Sequence, residues 1–417
     1  MPYRIHEVDL AQDVAAIPIP AGDTGFALVV RHAGRPVGFV MQALAAGSVL
    51  SAPDVAALAA AATDVNGRQE PGPDAFAHLA FGGTLPTLTV AVCTKDRPDD
   101  LRLCLARLQH ARAAERSNCI EILVVDNAPS DQRTRELVKN LPGVRYTTDP
   151  RPGLDFARNC AVREASGEVL AFVDDDVTVH DSWLPGLKKA LSEHPDAGAV
   201  TGLVLPAELE TEAQILFERR GGFQKHFATT RYGASLPGHP FYPCVGGRFG
   251  TGCNMAFRAR LLRQLGGFDE ALDAGAVLPG GGDTDMLYRV VRAGHPIVYE
   301  PQFQVFHRHR QEMHQLRRQY QLSWGMGLMA YVVKTYRADP EQRKNLRRLV
   351  RWWFGDELAQ LARSLRGRHA LPPGMLAAEL WGGVQGLCGA YGRSLRRVRR
   401  IQAEHGVSRA ATIEPAT

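Results

Sequence analysis

Glu168-Val-Leu-Ala-Phe-Val173 runs directly into three consecutive aspartates, Asp174, Asp175 and Asp176. A short apolar run that stops in three carboxylates predicts a buried strand ending at a polar site. Adjacent carboxylates raise one another's pKa unless a cation neutralises them. Asp174 and Asp176 are two residues apart, so an extended backbone points both side chains the same way. Hard oxygen ligands presented like this suit Mg²⁺ or Mn²⁺, and a solvated acidic turn is the alternative.

The chain around this triplet alternates between apolar runs and helical segments, which predicts a mostly parallel sheet with helices on both faces. Ligands bind beyond the carboxyl ends of the strands in such sheets. Asp126 and Asp174 each follow one of the runs, so both are expected at the same edge. The four predicted strands are Leu88–Cys93, Ile120–Val125, Val144–Thr148 and Glu168–Val173.

Three regions are predicted. Residues 1–82 form a small β-rich module plus linker, with a hairpin that turns at His32-Ala-Gly-Arg-Pro36; the linker extends to Pro86. Residues 87–310 form the α/β domain. After a strand near 197–205 this domain is predicted to be irregular through Gly250, and it then has two short strands at 297–299 and 303–306. Residues 311–417 form a basic, helical C-terminal region.

Composition is typical of a soluble globular protein, with 45% hydrophobic and 22% charged residues among 417. No apolar run is long enough to span a bilayer, and the N-terminus lacks the apolar core of a signal peptide. Seven cysteines without a CxxC pair suit a reducing cytoplasm. Residues 308–417 hold 20 Lys and Arg against 8 Asp and Glu, so a basic tail follows a mildly acidic body. Such tails meet anionic surfaces.

A series of short motifs follows in one order along residues 87–310. The series resembles family 2 glycosyltransferases, which have the GT-A fold, a Rossmann-like α/β architecture. No motif is decisive alone, but the ordered set is specific. The motifs are Thr94-x-x-Arg97-Pro98, Asp126-Asn127, Gly153-Leu-Asp-Phe-Ala-Arg-Asn159, the aspartate triplet, Asn254-Met-Ala-Phe-Arg258, Gly-Gly-Phe-Asp269, Gly-Gly-Asp283-Thr-Asp285 and His307.

The resemblance implies a site for the nucleotide-sugar donor and a site for a divalent metal. The residues implied in donor binding are Thr94, Arg97, Asp126, Asn127, Arg158, Asn159, Asp174 and Asp175. The implied ligands of Mg²⁺ or Mn²⁺ are Asp174, Asp176 and His307, and His309 competes with His307. The ordinary alternatives are a loop cap for Asp126, a surface ion pair for Arg158 and a basic patch for the histidines.

The resemblance also implies a catalytic pair, Asp283 and Asp285, and an acceptor region that includes Asn254 and Gly282. Members of the family often have an acid at the position of Gly282. The resemblance therefore implies that Asp283 is the catalytic base and that this chain lacks the acidic residue that often precedes it. The alternative is a capped helix with two acids in its first turn.

Together these features predict a metal-dependent, inverting glycosyltransferase of cell-envelope polysaccharide or glycolipid synthesis. The expected donor is a UDP-, dTDP- or GDP-linked sugar, and the expected acceptor is a saccharide or lipid-linked hydroxyl. A nucleotidyltransferase and a non-catalytic nucleotide-binding scaffold are the alternatives. We expect a cytoplasmic protein, peripheral on the inner face of the plasma membrane, whose C-terminal region meets an anionic membrane surface. A solvated helical cap or a dimer contact fits that region equally well, and nucleic acid is not an expected partner.

Overall fold

The computed structural model describes residues 2–65, 86–115, 119–236, 239–273 and 275–405. The linker predicted between the first two regions lies outside these ranges except for Pro86. Everything below concerns the described residues.

The N-terminal residues form a small sheet beside one helix. The hairpin prediction is confirmed: β3 and β4 pair antiparallel, and Ala33 and Gly34 make the turn with positive φ angles of 47° and 77°. β1 adds to β3 in parallel, which the sequence analysis did not predict. The elements are β1 (Tyr3–Asp9), β2 (Ile17–Pro18), β3 (Gly25–His32), β4 (Arg35–Ala43), β5 (Val49–Leu50) and α1 (Ala52–Val65).

A nine-stranded sheet forms the centre of the molecule, in the order β10-β14-β11-β13-β9-β6-β7-β8, with β12 paired to β14. Six strands run the same way, and β10, β12 and β13 run against them. The predicted fold class, a mostly parallel α/β sheet, is therefore confirmed. The strands are β6 (Leu88–Thr94), β7 (Ile120–Asn127), β8 (Val144–Asp149), β9 (Val169–Asp174), β10 (Val177–Val179), β11 (Ala199–Pro206), β12 (Thr230–Tyr232), β13 (Asn254–Arg258) and β14 (Ile297–His307).

Helices cover both faces of this sheet because its central strands are apolar on both sides. Val92 and Val124 face a layer that includes Leu101 and Leu105. Their strand neighbours face the opposite layer, where Leu123 packs near Ala157 and Ala161. The helices are α2 (Pro98–Ala114), α3 (Arg133–Lys139), α4 (Leu154–Glu164), α5 (Trp183–Glu193), α6 (Glu212–Arg219), α7 (Ala259–Gln264) and α8 (Gly282–Arg292).

Two local predictions were wrong. The stretch expected to be irregular contains α6, whose first turn is held by a capping box: the Thr211 side chain accepts from the backbone of Gln214, and the Gln214 side chain accepts in return. The two short strands expected near 300 are one strand, β14. Its pairing with β11 shifts register between Gly202 and Val204, so Pro301 lies where the ladder is interrupted.

The C-terminal region is helical, as predicted. Its core, which includes Met329 and Tyr331, is shared with Phe241 and Tyr288 of the central domain. Among the described residues, no helix combines the length and apolar character that crossing a bilayer requires. The helices are α9 (Met313–Gln319), α10 (Leu328–Ala338), α11 (Arg343–Leu365), α12 (Pro373–Gln385) and α13 (Tyr391–Glu404), with π-helical stretches at Tyr320–Gly327 and Gly386–Ala390.

Candidate active site

The carboxyl ends of β6, β7 and β9 bring the predicted donor and metal residues to one edge of the sheet. Thr94 is paired in register with Asp126, and Cys93 with Asp174. Beyond this edge lies a cavity of about 1050 Å³. A nucleotide sugar and part of an acceptor fit in a space of this size.

The cavity has two walls. The first, which we call the sheet-edge wall, consists of Arg97, Arg158, Asp174, Cys253, Asp283 and His307. The second, the helical wall, comes from the C-terminal region and consists of Arg318, Trp324, Trp352, Asp356, Gln360 and Glu379. Sequence reasoning placed no residue of the helical wall in the site.

The aspartate triplet is only partly neutralised by its neighbours. Asp175 accepts a hydrogen bond from the Thr94 hydroxyl at 2.7 Å and one from Arg97 at 3.1 Å. The same Arg97 nitrogen lies 3.3 Å from Asp176. Burial raises the pKa of Asp174 to about 7 and that of Asp175 to about 6, and repulsion from Asp176 adds to both shifts. A bound cation would relieve this cost.

His307 approaches the triplet from the end of β14, with its Nε2 atom 3.4 Å from an Asp176 carboxylate oxygen. Ligand atoms of Asp174, His307 and Cys253 lie within 4.8 Å of one another. Burial raises the pKa of the Cys253 thiol well above its ordinary value, so Cys253 is a poor ligand for a hard cation. Burial lowers the pKa of His307 to about 4, against the charge of Asp176, so its ring is neutral and can donate a lone pair. These side chains fit Mg²⁺ or Mn²⁺.

A buried carboxylate and a second histidine orient His307. His307 Nδ1 lies 3.0 Å from His309 Nδ1, and His309 Nε2 lies 2.7 Å from Glu218 on α6. His309 is thus engaged on both ring nitrogens and does not compete with His307 for the cavity. A hydrogen bond on Nδ1 leaves Nε2 of His307 directed at the acids, as second-shell partners of metal-binding histidines do. Sequence reasoning missed Glu218, which lies in the helix that it also missed.

The two acids of α8 differ sharply. The Asp283 carboxylate lines the cavity and accepts from the backbone N–H groups of Gly252 and Thr284 at 2.8 and 2.7 Å. Asp285 is fully buried, bonded to Arg289 at 2.7 Å and to Lys334, and does not line the cavity. Burial raises the pKa of Asp285, but these two cations outweigh burial and hold it below the usual range. Of the two acids, only Asp283 lines the cavity.

The glycines before Asp283 allow a close approach between α8 and α4. Gly281 has φ = 107°, and a Cβ atom added at Gly282 would lie 1.9 Å from an Asp155 carboxylate oxygen. Asp155 is buried and was not predicted as a site residue. Its carboxylate occupies the space that an acidic side chain at position 282 would need.

Arg158 is buried at the base of the cavity among acids. It lies 3.0 Å from Asp155 and 3.8 Å from Asp273. Burial lowers its pKa, but the surrounding carboxylates, including Asp174 and Asp283, outweigh burial and raise it, so the guanidinium stays charged. It is not the surface ion pair that was the alternative.

Three predicted binding residues are engaged elsewhere. Asn127 bonds to the backbone of Arg151 and Gly153. Asn159 bonds to both backbone groups of Phe268. Asn254, expected in the acceptor region, bonds to Trp183 and to two buried carbonyls. Contrary to expectation, all three hold loops and strands together, and none of them lines the cavity.

Asp126 lies at the sheet edge, in register with Thr94, and keeps one acceptor atom unused. Its Oδ2 accepts from the Tyr146 hydroxyl at 2.8 Å, whereas its buried Oδ1 has no partner among the described residues. Burial raises its pKa. An unpartnered buried oxygen is costly, and a ligand N–H would remove that cost.

Comparison with known proteins assigns part of this chain to a family. Residues 89–266 match the family model of glycosyl transferase family 2. These residues form a family 2 glycosyltransferase domain. They include the triplet, Arg158 and Cys253, whereas Asp283, His307 and the helical wall lie beyond the matched segment.

Relatives of the family 2 domain are named for polysaccharide synthesis. The chain is 29% identical to the succinoglycan biosynthesis protein ExoM of Rhizobium meliloti (strain 1021), over 52% of this chain and 64% of ExoM. It is 27% identical to the O-antigen biosynthesis protein RfbC of Myxococcus xanthus, over 53% of this chain and 17% of RfbC. The chain therefore spans less than two thirds of the length of either relative.

Among solved structures, the domain is similar to mannosyltransferase PcManGT from Pyrobaculum calidifontis in complex with GDP-Man and Mn²⁺. The match has 17% identity and a TM-score of 0.42, and it covers 79% of this chain and 82% of the other. A likeness this weak supports no conclusion about donor or metal.

Proposed function

We propose that this protein is a metal-dependent, inverting glycosyltransferase that moves a sugar from a UDP-, dTDP- or GDP-linked donor to an acceptor hydroxyl. One observation carries the proposal: the candidate metal ligands and the candidate base meet at one cavity. Gly252 donates to Asp283, and the next residue, Cys253, lies within 4.8 Å of the ligand atoms of Asp174 and His307. Acids far apart in the chain therefore face one substrate space.

The donor would be held by charge and by hydrogen bonds at the sheet edge. Arg97 and Arg158 supply positive charge for the diphosphate, and the free Asp126 oxygen suits an N–H group of the nucleotide base. Asp174, Asp176 and His307 would hold Mg²⁺ or Mn²⁺. When bound, this ion supplies charge stabilisation for the departing nucleoside diphosphate.

Asp283 is the proposed base. The acceptor oxygen forms a bond to the anomeric carbon as the bond from that carbon to the phosphate oxygen breaks. The hydroxyl proton passes to the Asp283 carboxylate, and the bonding electrons leave with the diphosphate. Two backbone N–H groups fix this carboxylate in place, which favours catalysis by position.

We place the acceptor, a saccharide or a lipid-linked saccharide, along the helical wall. The exposed Trp352 ring offers a stacking surface, and Gln360 donates to Asp356 at 2.7 Å beside it, so amide and carboxylate atoms face the cavity. The names of the relatives, which refer to succinoglycan and O-antigen biosynthesis, support a role in cell-envelope polysaccharide or glycolipid synthesis. Our proposal places this role on the inner face of the plasma membrane.

The test is a screen of UDP-, GDP- and dTDP-sugars with Mn²⁺, first by thermal shift and then by release of the nucleoside diphosphate. Ligands that bind only the native state raise the melting temperature. One donor should stabilise the protein only with the metal and should be turned over, and NMR of the product should show an inverted anomeric centre. Stabilisation by no sugar nucleotide, or release of pyrophosphate from a nucleoside triphosphate instead, would refute the proposal.

A further inference from the structure

Exposed apolar side chains are concentrated on two C-terminal helices. Eight large apolar side chains are exposed among the described residues, and six of them lie between residues 352 and 387. Single exposed apolar residues are common, but a cluster of this kind marks an interaction surface. The six are Trp352, Leu358, Leu365, Trp381, Val384 and Leu387.

The packing of α12 and of the π-helical stretch that follows it explains why Trp381 and Val384 face outward. Gly382, Gly383 and Gly386 line the inner side, where added Cβ atoms would meet backbone atoms of Gln321, the Trp353 ring and Met326. These close contacts fix the orientation of the helix about its own axis. Trp381 and Val384 are consequently 57% and 38% exposed on the other side.

Arginines of α10 and α11 lie beside Leu387, just after the end of α12. Leu387 shares a groove of about 460 Å³ with Arg337 of α10 and with Arg347 and Arg351 of α11. Residues 337–400 contain 14 Lys and Arg and five acids. Glu357 and Glu379 are buried against Arg220, Asp356 lies on the cavity wall, and Asp339 and Glu341 are paired with Arg292. The outer surface is therefore both apolar and cationic.

We propose that this surface docks on an anionic lipid bilayer. The docking face is defined here as Arg337, Arg347, Arg351, Trp381, Val384 and Leu387. Its apolar side chains would enter the boundary between headgroups and acyl chains, where tryptophan is favoured. Its arginines would meet the lipid phosphates, and each basic residue near an anionic surface adds to the binding energy.

Charge favours a bilayer over a second copy of the chain. A twofold contact would bring the same arginines of both copies together, and like charges brought together across an interface are costly. Nucleic acid would satisfy the arginines, but it would leave the aliphatic Val384 and Leu387 against a phosphate backbone without burying them.

Docking would also orient the cavity. Arg351 belongs to the docking face, while the next residue, Trp352, lines the cavity and lies 5.5 Å from the ring of Phe241. The cavity wall and the docking face are thus adjacent sides of α11. This step alone rests on the proposed function: an acceptor carried on a lipid would reach the cavity without leaving the bilayer.

Cys388 provides a reporter beside the docking face. It is exposed and follows Leu387, whereas the other cysteines are buried or half-buried. We would attach an environment-sensitive fluorophore to Cys388 in full-length protein carrying Cys119→Ser. Vesicles of equimolar phosphatidylglycerol and phosphatidylcholine should shift the emission to the blue, and high salt should weaken the effect. Pure phosphatidylcholine vesicles and heparin should give little change.

Two double variants and their matched controls test the residues by vesicle pelleting. Arg347→Gln with Arg351→Gln, and Trp381→Ser with Leu387→Ser, should each lower the partition coefficient on the order of tenfold. The controls are Arg102→Gln with Arg135→Gln, and Leu103→Ser, which alter exposed residues of α2 and α3. They should bind like the parent, and melting temperatures should show that all variants fold.

Several results would overturn the proposal. One is equal vesicle binding by the parent and both double variants. Another is no binding to anionic vesicles together with a stable dimer in analytical ultracentrifugation, which would assign the face to a second copy. Strong heparin binding without vesicle binding would assign it to a polyanion. None of these results bears on sugar transfer to a soluble acceptor, so the proposed function is tested separately.

Discussion

The cavity has one wall at the edge of the central sheet, with the helix ends and loops that border it, and another made of helices from the C-terminal region. The sheet-edge wall carries charge. Its residue Arg158, for example, lies within ion-pair range of two carboxylates, those of Asp155 and Asp273. The helical wall carries Trp324 and Trp352 together with polar groups. The difference indicates a division of labour, with donor, metal and proton transfer on the first wall and acceptor recognition on the second. Variants of the two walls should therefore fail in different ways.

The largest effect is expected at the two acids of α8. Asp283→Asn should lower kcat by about 10² to 10⁴, the usual contribution of a general base, with little change in melting temperature. Asp285→Asn should instead lower the free energy of unfolding by about 3 kcal/mol or more, because Arg289 and Lys334 lose a buried partner. Kinetics and thermal unfolding of both variants separate the roles. Full activity in purified Asp283→Asn would remove it from the mechanism.

Metal binding at the sheet-edge wall should depend steeply on pH. In the metal-free protein, burial raises the pKa of Asp174 to about 7. A carboxyl group whose pKa is raised by folding contributes its full stabilisation at pH values below the ordinary carboxyl pKa. This contribution is lost as the pH rises through about 7. A divalent cation needs the carboxylate, so it must displace the proton. About half of the Asp174 carboxyls are ionised near pH 7 and about one in a hundred near pH 5, so the apparent affinity should fall about fiftyfold between these values.

Electron paramagnetic resonance of free Mn²⁺ measures this affinity directly. His307, with its pKa lowered to about 4 by burial, does not compete in this range. The matched control is Asp174→Asn, which should bind Mn²⁺ weakly at every pH with a flatter dependence. An affinity that is independent of pH in the parent protein would show that Asp174 does not bind the ion.

These residues also show how far the sequence could predict the site. Buried strands that end in carboxylates are local patterns, so the runs before Asp126 and Asp174 located the sheet edge correctly. The roles of Asp283 and Asp285 could not be separated, because Lys334 reaches Asp285 from a helix 49 residues further on. Asn127 and Asn159 match family motifs, yet only the folded structure shows that loop backbones already satisfy their side chains.

Other features depend on contacts between distant parts of the chain. Cys253 lies at the candidate metal site and Glu218 lies behind it because of long-range packing, and neither has a local pattern that marks it. The capping box from Thr211 to Gln214, in contrast, was readable in the sequence and would have predicted α6. The helical wall had no signal beyond basic and aromatic residues at helical spacing, a pattern that a surface helix shares.

The relay behind His307 should affect metal affinity without abolishing the site. Glu218→Gln replaces the carboxylate that bonds to His309 Nε2 at 2.7 Å with a neutral amide. Losing the partner of a metal-binding histidine typically costs about ten- to a hundredfold in affinity, and we expect Mn²⁺ binding to weaken within this range. Glu212→Gln, in the same helix, is the matched control and should bind normally. Unchanged Mn²⁺ affinity in Glu218→Gln would limit that carboxylate to a structural role.

The smallest effect on activity is expected from a variant of the helical wall. This variant tests whether the two walls bind different substrates. Trp352→Ala removes an exposed ring, so stability should change little. The KM for a saccharide acceptor should rise about tenfold, since stacking on an aromatic face contributes on the order of 1 kcal/mol or more. The KM for the donor and the rate of donor hydrolysis without acceptor should stay the same, because the donor contacts the other wall.

Trp381→Ala, which removes an exposed tryptophan outside the cavity, is the matched control with soluble acceptors. If Trp352→Ala raised the donor KM equally, the two walls would form a single site rather than divide the substrates between them.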